Sequence, residues 1–132
     1  MKQDQNWLAE MESRRRDDEP SPGQEMAALM RRTDEVLKGL SPEDGAKLRE
    51  LSAGWRELVL TGYALSCGYA PHTADGVGEL LTAAPEGAAW RAENLRLTRA
   101  AEALASTVPE VLPLSDRWDD LCALALVLGQ RR

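Results

Sequence analysis

One pair of residues has the types that nucleophilic catalysis requires, Cys67 and His72, five positions apart. A cysteine becomes a strong nucleophile when a neighbouring base or cation favours the thiolate, and a further group usually orients the base. No such group accompanies this pair, and His72 is the only histidine in the sequence. We interpret Cys67 as a small apolar residue near the end of a helix and His72 as a solvated loop residue.

Acidic residues supply the ligands and proton donors of metal sites and hydrolases, but their spacing here is unsuitable. Residues 75–79, Asp-Gly-Val-Gly-Glu, lack the regular oxygen-ligand spacing of a calcium-binding loop and the Lys-Ser/Thr ending of a phosphate-binding loop. The neighbouring acids Asp119 and Asp120, like Glu10 and Glu12, point to different sides of a helix. We therefore predict no catalytic residues, no metal site, no cofactor and no enzymatic activity.

Arginine is the most suggestive residue type, because it outnumbers lysine thirteen to three and falls in clusters. A planar guanidinium pairs with phosphate through two hydrogen bonds, so a patch of arginines can contact the backbone of RNA or DNA. The candidate residues for such a patch are Arg14, Arg15, Arg16, Arg31, Arg32, Arg91, Arg96 and Arg99. The competing interpretation is a solvated, salt-bridged surface, because acids lie nearby and the net charge of −6 opposes non-specific binding to nucleic acid.

Apolar helical positions supply the other candidate sites. The tryptophans at positions 55, 90 and 118 are predicted to fill the core, whereas the helix that contains Trp7 has few other apolar residues. Because tryptophan is a common anchor of interfaces, we predict that Trp7, with Leu8 and Met11, contacts a partner. Asn94 interrupts an apolar seam formed by residues 90, 97, 101, 104 and 108, where an unpaired amide would cost about 1–3 kcal/mol. We expect this amide either to fix the register against a second helix across an interface or to pair locally within the monomer.

The composition fits helices better than strands, because leucine supplies 20 and alanine 19 of the 132 residues while isoleucine and phenylalanine are absent. The longest apolar run, residues 121–128, is well short of the ~20 residues that span a bilayer. The N-terminal segment has no apolar stretch of signal-peptide length. We expect a cytoplasmic protein without membrane contact. The abundance of arginine, alanine and glycine is consistent with a GC-rich bacterial or phage genome.

Helices must position all of these residues. Apolar periodicity predicts helices over residues 4–18, 24–38, 42–66, 74–83, 86–107 and 116–129. Ser41 and Pro42 supply the clearest start, because the hydroxyl caps the helix and proline fits its first position. Two prolines exclude a continuous helix across residues 108–114, so Ser115 is predicted to cap the last helix. A buried strand is the competing interpretation of residues 121–128, but their alanines and the single β-branched residue favour a helix.

Like charges, two prolines and a glycine at residues 17–23 predict a linker. We divide the chain into an N-terminal helix with a Pro-rich linker, residues 1–23, and a helical bundle domain, residues 24–132. The predicted fold is all-α, a compact bundle of five to six helices with a peripheral N-terminal helix. The favoured function is a non-enzymatic protein-interaction module, an adaptor, regulatory or inhibitory subunit that binds another protein or its own copy. The alternative is a small helical subunit of a nucleoprotein assembly that contacts RNA or DNA through the arginine clusters.

Overall fold

The structure is a computed structural model that describes residues 2–67 and 85–131. These residues form five helices and no strand. The helices are α1 (Lys2–Arg14), α2 (Pro22–Leu37), α3 (Pro42–Cys67), α4 (Pro85–Ala105) and α5 (Val111–Gln130). The prediction of an all-α bundle is confirmed. The predicted helix over residues 74–83 and the loop position of His72 lie outside the described residues.

α3 and α5 form the centre of the bundle, and the other helices pack around this pair. The indole rings of Trp55 in α3 and Trp118 in α5 are stacked, with their centroids 6.1 Å apart. Trp90 of α4 reaches α3, where its indole N–H donates to the Leu58 carbonyl at 2.9 Å. All three tryptophans are buried, as their apolar positions predicted.

A glycine allows the two central helices to approach closely. A Cβ atom on Gly129 of α5 would lie only 2.6 Å from the Cβ of Ser66 and 2.8 Å from the backbone carbonyl oxygen of Tyr63. The Ser66 hydroxyl also donates to the Leu126 carbonyl at 2.5 Å. The backbones of α3 and α5 therefore meet here, and a larger side chain at position 129 would push them apart.

Serine side chains cap the starts of α2 and α3, and two helix starts differ from the prediction. Ser41 accepts a hydrogen bond from the Asp44 N–H at 3.2 Å, as predicted. α2 begins at Pro22, two residues earlier than expected, because Ser21 caps it and proline has no N–H that needs a partner. α5 begins at Val111 rather than after Ser115. Pro113 does not prevent this, because N–H groups in the first turn have no partner within the helix.

α1 lies on the outside of the bundle and contacts α2, α3 and α5, so the predicted peripheral position is confirmed. Its inner face nevertheless belongs to the core, because Met11 is 0% exposed and Trp7 and Leu8 pack against the same cluster. α1 ends at Arg14 instead of residue 18. A local turn replaces its last predicted turn, with the Arg16 N–H bound to the Glu19 carboxylate at 2.7 Å.

The apolar seam of α4 is buried as predicted, except at Asn94. Trp90, Leu97, Ala101 and Leu104 are all at most 8% exposed, whereas Asn94 is half-buried. The amide therefore lies at the edge of the seam instead of inside the core. Residues 121–128 are helical, which decides against the competing strand interpretation.

Candidate interaction groove

An open groove runs between α4 and α5, and we call it the α4–α5 groove. The described residues that line it are Ala88, Arg91, Ala92, Asn94, Leu95 and Thr98 of α4 and Asp119 of α5. The α4 members recur at steps of three and four residues, so they share one side of the helix next to the buried seam. The groove has a volume of about 670 Å³, compared with about 270 Å³ for a cavity between α2 and α5.

The apolar part of the groove consists of one large side chain beside two small ones. Leu95 is 50% exposed, more than the other large apolar residues on the described surface, Met30, Leu112 and Val127. Ala88 and Ala92 are also exposed on the same side of α4. Small residues let another helix approach closely, and an exposed leucine gives that helix a surface to cover.

The polar part of the groove contains a carboxylate and a cation that form no ion pair with any residue the structure describes. Burial, and next the charges of Asp116 and Asp120, raise the pKa of Asp119 above its usual value. None of these three acids forms an ion pair with a described residue. Arg91 is exposed and also forms no ion pair within the described chain. The groove thus holds charges of both signs that have no counter-ion among the described residues.

The two acids at the start of the apolar run face different ways, as their spacing predicted. Asp119 lines the α4–α5 groove, whereas Asp120 lines the cavity beside α2 together with Arg117 and Glu25. In that cavity Arg117 pairs with Glu25 at 3.2 Å. Asp119 is therefore the acid of the pair that stands next to the exposed leucine.

Polar groups at the α1 junction, by contrast, are paired. We use this name for Glu10, Arg14, Glu19, Tyr63 and Arg131, where α1 and its connection to α2 meet α3 and the end of α5. The Tyr63 hydroxyl donates to the Glu10 carboxylate at 2.8 Å, and the Arg14 guanidinium lies 5.4 Å from the centre of the Tyr63 ring. Burial, supported by hydrogen bonds to side chains, raises the pKa of Tyr63. The junction therefore keeps the phenol neutral.

The second half of the α1 junction is an ion pair between distant parts of the chain. The Arg131 guanidinium donates to both carboxylate oxygens of Glu19, with the Nη2–Oε2 distance at 2.8 Å. This contact, and next a hydrogen bond from the Arg16 backbone N–H, lowers the pKa of Glu19 to about 2. Arg14 donates to the Gly129 carbonyl at 3.4 Å, in the last turn of α5, where backbone carbonyls lack the usual partner within the helix.

The arginines predicted to contact nucleic acid are used in different ways. Arg14 binds the α1 junction, Arg15 pairs with Glu12 at 3.2 Å, and Arg96 donates to Glu93 at 3.0 Å. The other five are exposed: Arg16, Arg31, Arg32, Arg91 and Arg99. Arg31 and Arg32 lie on α2, whereas Arg91 and Arg99 lie on α4, and both helices pack mainly on α3 and α5 instead of on each other. The structure therefore does not gather the eight residues into one patch.

The apolar residues predicted to contact a partner are divided between core and surface. Met11 is enclosed by the chain itself, while Trp7 and Leu8 are half-buried. Their use at an interface stays a prediction. Asn94, the fourth such residue, lines the α4–α5 groove, which gives it a place where a second molecule can reach its amide.

The cysteines show no sign of a shared function in the described residues. Cys122 is buried, and burial, followed by the charge of Asp119, raises the pKa of its thiol to about 12. It is therefore a protonated thiol at neutral pH. Cys67 is exposed at the end of α3 and accepts a hydrogen bond from Arg14 at 3.2 Å.

The described part of the chain contains no group of three or more His, Cys, Asp or Glu side chains arranged to hold a metal ion. Of the five helices formed by these residues, none combines the length and apolarity needed to cross a membrane. Comparisons of the chain with protein-family models, with curated proteins and with solved structures found no match.

Two residues of the groove, Leu95 and Asp119, were missed by sequence reasoning. Leu95 falls beside the predicted seam of α4 instead of on it, so the periodicity of the sequence already indicates that Leu95 is exposed. The environment of Asp119 had no such signal, because its burial arises from the packing of α4 on α5, two helices whose contact the sequence did not specify.

Proposed function

We propose that this chain is a non-enzymatic protein-interaction module, an adaptor, regulatory or inhibitory subunit that docks its α4–α5 groove on another protein chain. The observation that carries the proposal is the exposure of Leu95 beside Asp119, a half-buried carboxylate without an ion-pair partner in the described chain. Covering an exposed leucine with apolar surface lowers the free energy of the complex. The charged form of an acid whose pKa is raised by burial is stabilised when a cation reaches it. A docked chain supplies both.

The alternative function, contact with the backbone of RNA or DNA, has less support. Phosphate would have to approach a chain of net charge −6. Three of the eight candidate arginines already bind carboxylates or carbonyls of the chain. The alternative therefore depends on the five exposed arginines, of which Arg31 and Arg32 are adjacent on α2.

Photo-cross-linking from the groove tests the proposal. A photoreactive phenylalanine derivative replaces Leu95 in one variant and Glu43, an 82% exposed side chain at the start of α3, in a control variant. After illumination in native cells we expect an adduct from position 95 that is sensitive to protease and resistant to nuclease. Absence of an adduct at position 95 above the level at position 43 would overturn the proposal.

The same experiment addresses the alternative. An adduct that shifts on nuclease treatment, together with filter binding of single-stranded RNA or duplex DNA that falls steeply between two salt concentrations, would favour nucleic acid. Replacement of Arg31 and Arg32 by glutamate should then abolish retention on the filter. Unchanged retention in that variant would exclude these two residues as the phosphate contacts.

A further inference from the structure

The α4–α5 groove contains both halves of an ion pair that the monomer does not form. Arg91 of α4 and Asp119 of α5 line the same groove, yet neither pairs with the other or with another described residue. A groove for an unrelated basic or acidic chain would need one sign of charge. A surface that carries both signs can match a copy of itself.

A two-fold axis imposes a definite condition on such a surface. In a symmetric dimer, if one residue contacts a second residue of the other copy, the second contacts the first by symmetry. If each copy carries a cation on one side of the axis and an anion on the other, the dimer therefore forms two ion pairs between the copies. Residues on the axis meet their own counterparts.

The positions of the groove residues along the helices satisfy this condition. The connection between α4 and α5 is short, so the two helices run antiparallel. Asp119 is eight residues into α5 and thus lies level with the turn of α4 near Thr98, about eight residues before that helix ends. Arg91 lies about one turn before Asn94 and Leu95, and Asp119 about one turn beyond them. A two-fold axis that crosses α4 near Asn94 and Leu95 therefore brings each cation to the same level along the helices as the other copy's acid, and both side chains line the groove.

We propose that the occupant of the α4–α5 groove is a second copy of this chain, docked about a two-fold axis near Asn94 and Leu95. This inference rests on the proposed function and names its partner. Each Leu95 covers the other across the small residues Ala88 and Ala92. Each Arg91 pairs with the second copy's Asp119, and the two Asn94 amides face each other at the centre. An asparagine pair of this kind fixes the register between two helices.

The test is the association of the full chain measured by sedimentation equilibrium over a wide range of concentrations. We expect a monomer–dimer equilibrium in which Leu95→Asp raises the dissociation constant on the order of thirty-fold or more. Arg91→Asp and Asp119→Arg should each weaken the dimer, because each brings like charges together. The double variant Arg91→Asp/Asp119→Arg should regain most of the lost affinity, because it restores both ion pairs with reversed sign.

A matched control reverses a charge of the same sign on the same helix. Arg99 is exposed on α4 but does not line the groove, so Arg99→Asp should leave the dissociation constant unchanged. Circular dichroism of every variant separates loss of association from loss of folding. Arg91 is exposed, so we expect Arg91→Asp to fold normally. Its dissociation constant can therefore be measured even if Asp119→Arg does not fold.

Three outcomes would overturn the inference: a monomer at all concentrations, a dimer that no groove variant weakens, or a double variant that regains no affinity. The first of these leaves the proposed function intact if position 95 still cross-links to a different protein. A monomer that also yields no adduct at position 95 would remove both the dimer and the proposed function.

Discussion

The α1 junction and the α4–α5 groove both place charged side chains where helices meet, but they differ in what those charges bind. At the junction, Glu19 is held by Arg131 and the Tyr63 hydroxyl donates to Glu10. In the groove, Arg91 and Asp119 have no ion-pair partner in the described chain and stand beside an exposed leucine. A fully paired polar contact holds a fold together, whereas a half-buried acid beside exposed apolar surface is stabilised only when a partner brings a cation to it.

The largest expected difference between the two regions concerns their apolar residues. Met11 lies beneath the α1 junction and is 0% exposed, so Met11→Ala should lower the free energy of unfolding by about 2–5 kcal/mol. Leu95 is half exposed in the groove, so Leu95→Ala should change it by less than about 0.5 kcal/mol. Urea denaturation of dilute protein measures both values. Equal losses in the two variants would show that the groove belongs to the core.

The close contact of α3 and α5 behind the α1 junction gives the next effect. In Gly129→Ala the new Cβ would lie 2.8 Å from the Tyr63 carbonyl oxygen, and we expect a loss of about 1–3 kcal/mol. Gly45→Ala is the control, because its Cβ would have ordinary contacts, the nearest at 3.8 Å. Replacing this helical glycine should add up to about 1 kcal/mol of stability. A stable Gly129→Ala variant would contradict the backbone contact that positions the junction.

The ion pair of the α1 junction should be visible in the pH dependence of stability. Arg131 and the Arg16 N–H lower the pKa of Glu19 to about 2, so as the pH falls the unfolded chain takes up a proton before the folded chain does. The contribution of Glu19 is therefore complete above its usual pKa of about 4.5 and is lost as the pH approaches 2. Glu19→Gln should melt below the unmodified chain at pH 7 and at the same temperature near pH 2.

The control for this experiment is an exposed ion pair of the same charge type. Glu43 is 82% exposed and stands 3.8 Å from Lys47, so solvent screens it and Glu43→Gln should change the melting temperature little at either pH. If the difference in melting temperature between Glu19→Gln and the unmodified chain stays constant down to pH 2, the substitution acts through packing and not through charge.

Local chemistry explains which parts of this fold the sequence predicted. The cap at Ser41 and the seam from Trp90 to Leu104 depend on neighbours within a few residues, and both predictions are confirmed except that Asn94 lies at the edge of the seam. The sequence-based prediction starts α5 too late. Proline is disfavoured inside helices, but Pro113 lies in the first turn, where this preference does not hold. The partial burial of Asp119, without an ion-pair partner in residues 2–67 and 85–131, depends on two helices packing side by side, which periodicity within one helix does not reveal.

The smallest expected effect tests whether Asp119 is retained for association at a cost in stability. Its pKa is raised by burial and by two neighbouring acids, so the folded monomer is destabilised as the pH rises from acid, where the group is protonated in both states, to neutral. Asp119→Asn should therefore stabilise the dilute monomer at pH 7 but not at low pH, in urea denaturation, and should weaken the dimer in sedimentation. Asp120→Asn is the control, because Asp120 lies outside the groove and should not change association. A residue whose removal improves the isolated fold while impairing association is expected at a binding surface, whereas loss of stability in Asp119→Asn would place Asp119 with the paired groups of the α1 junction.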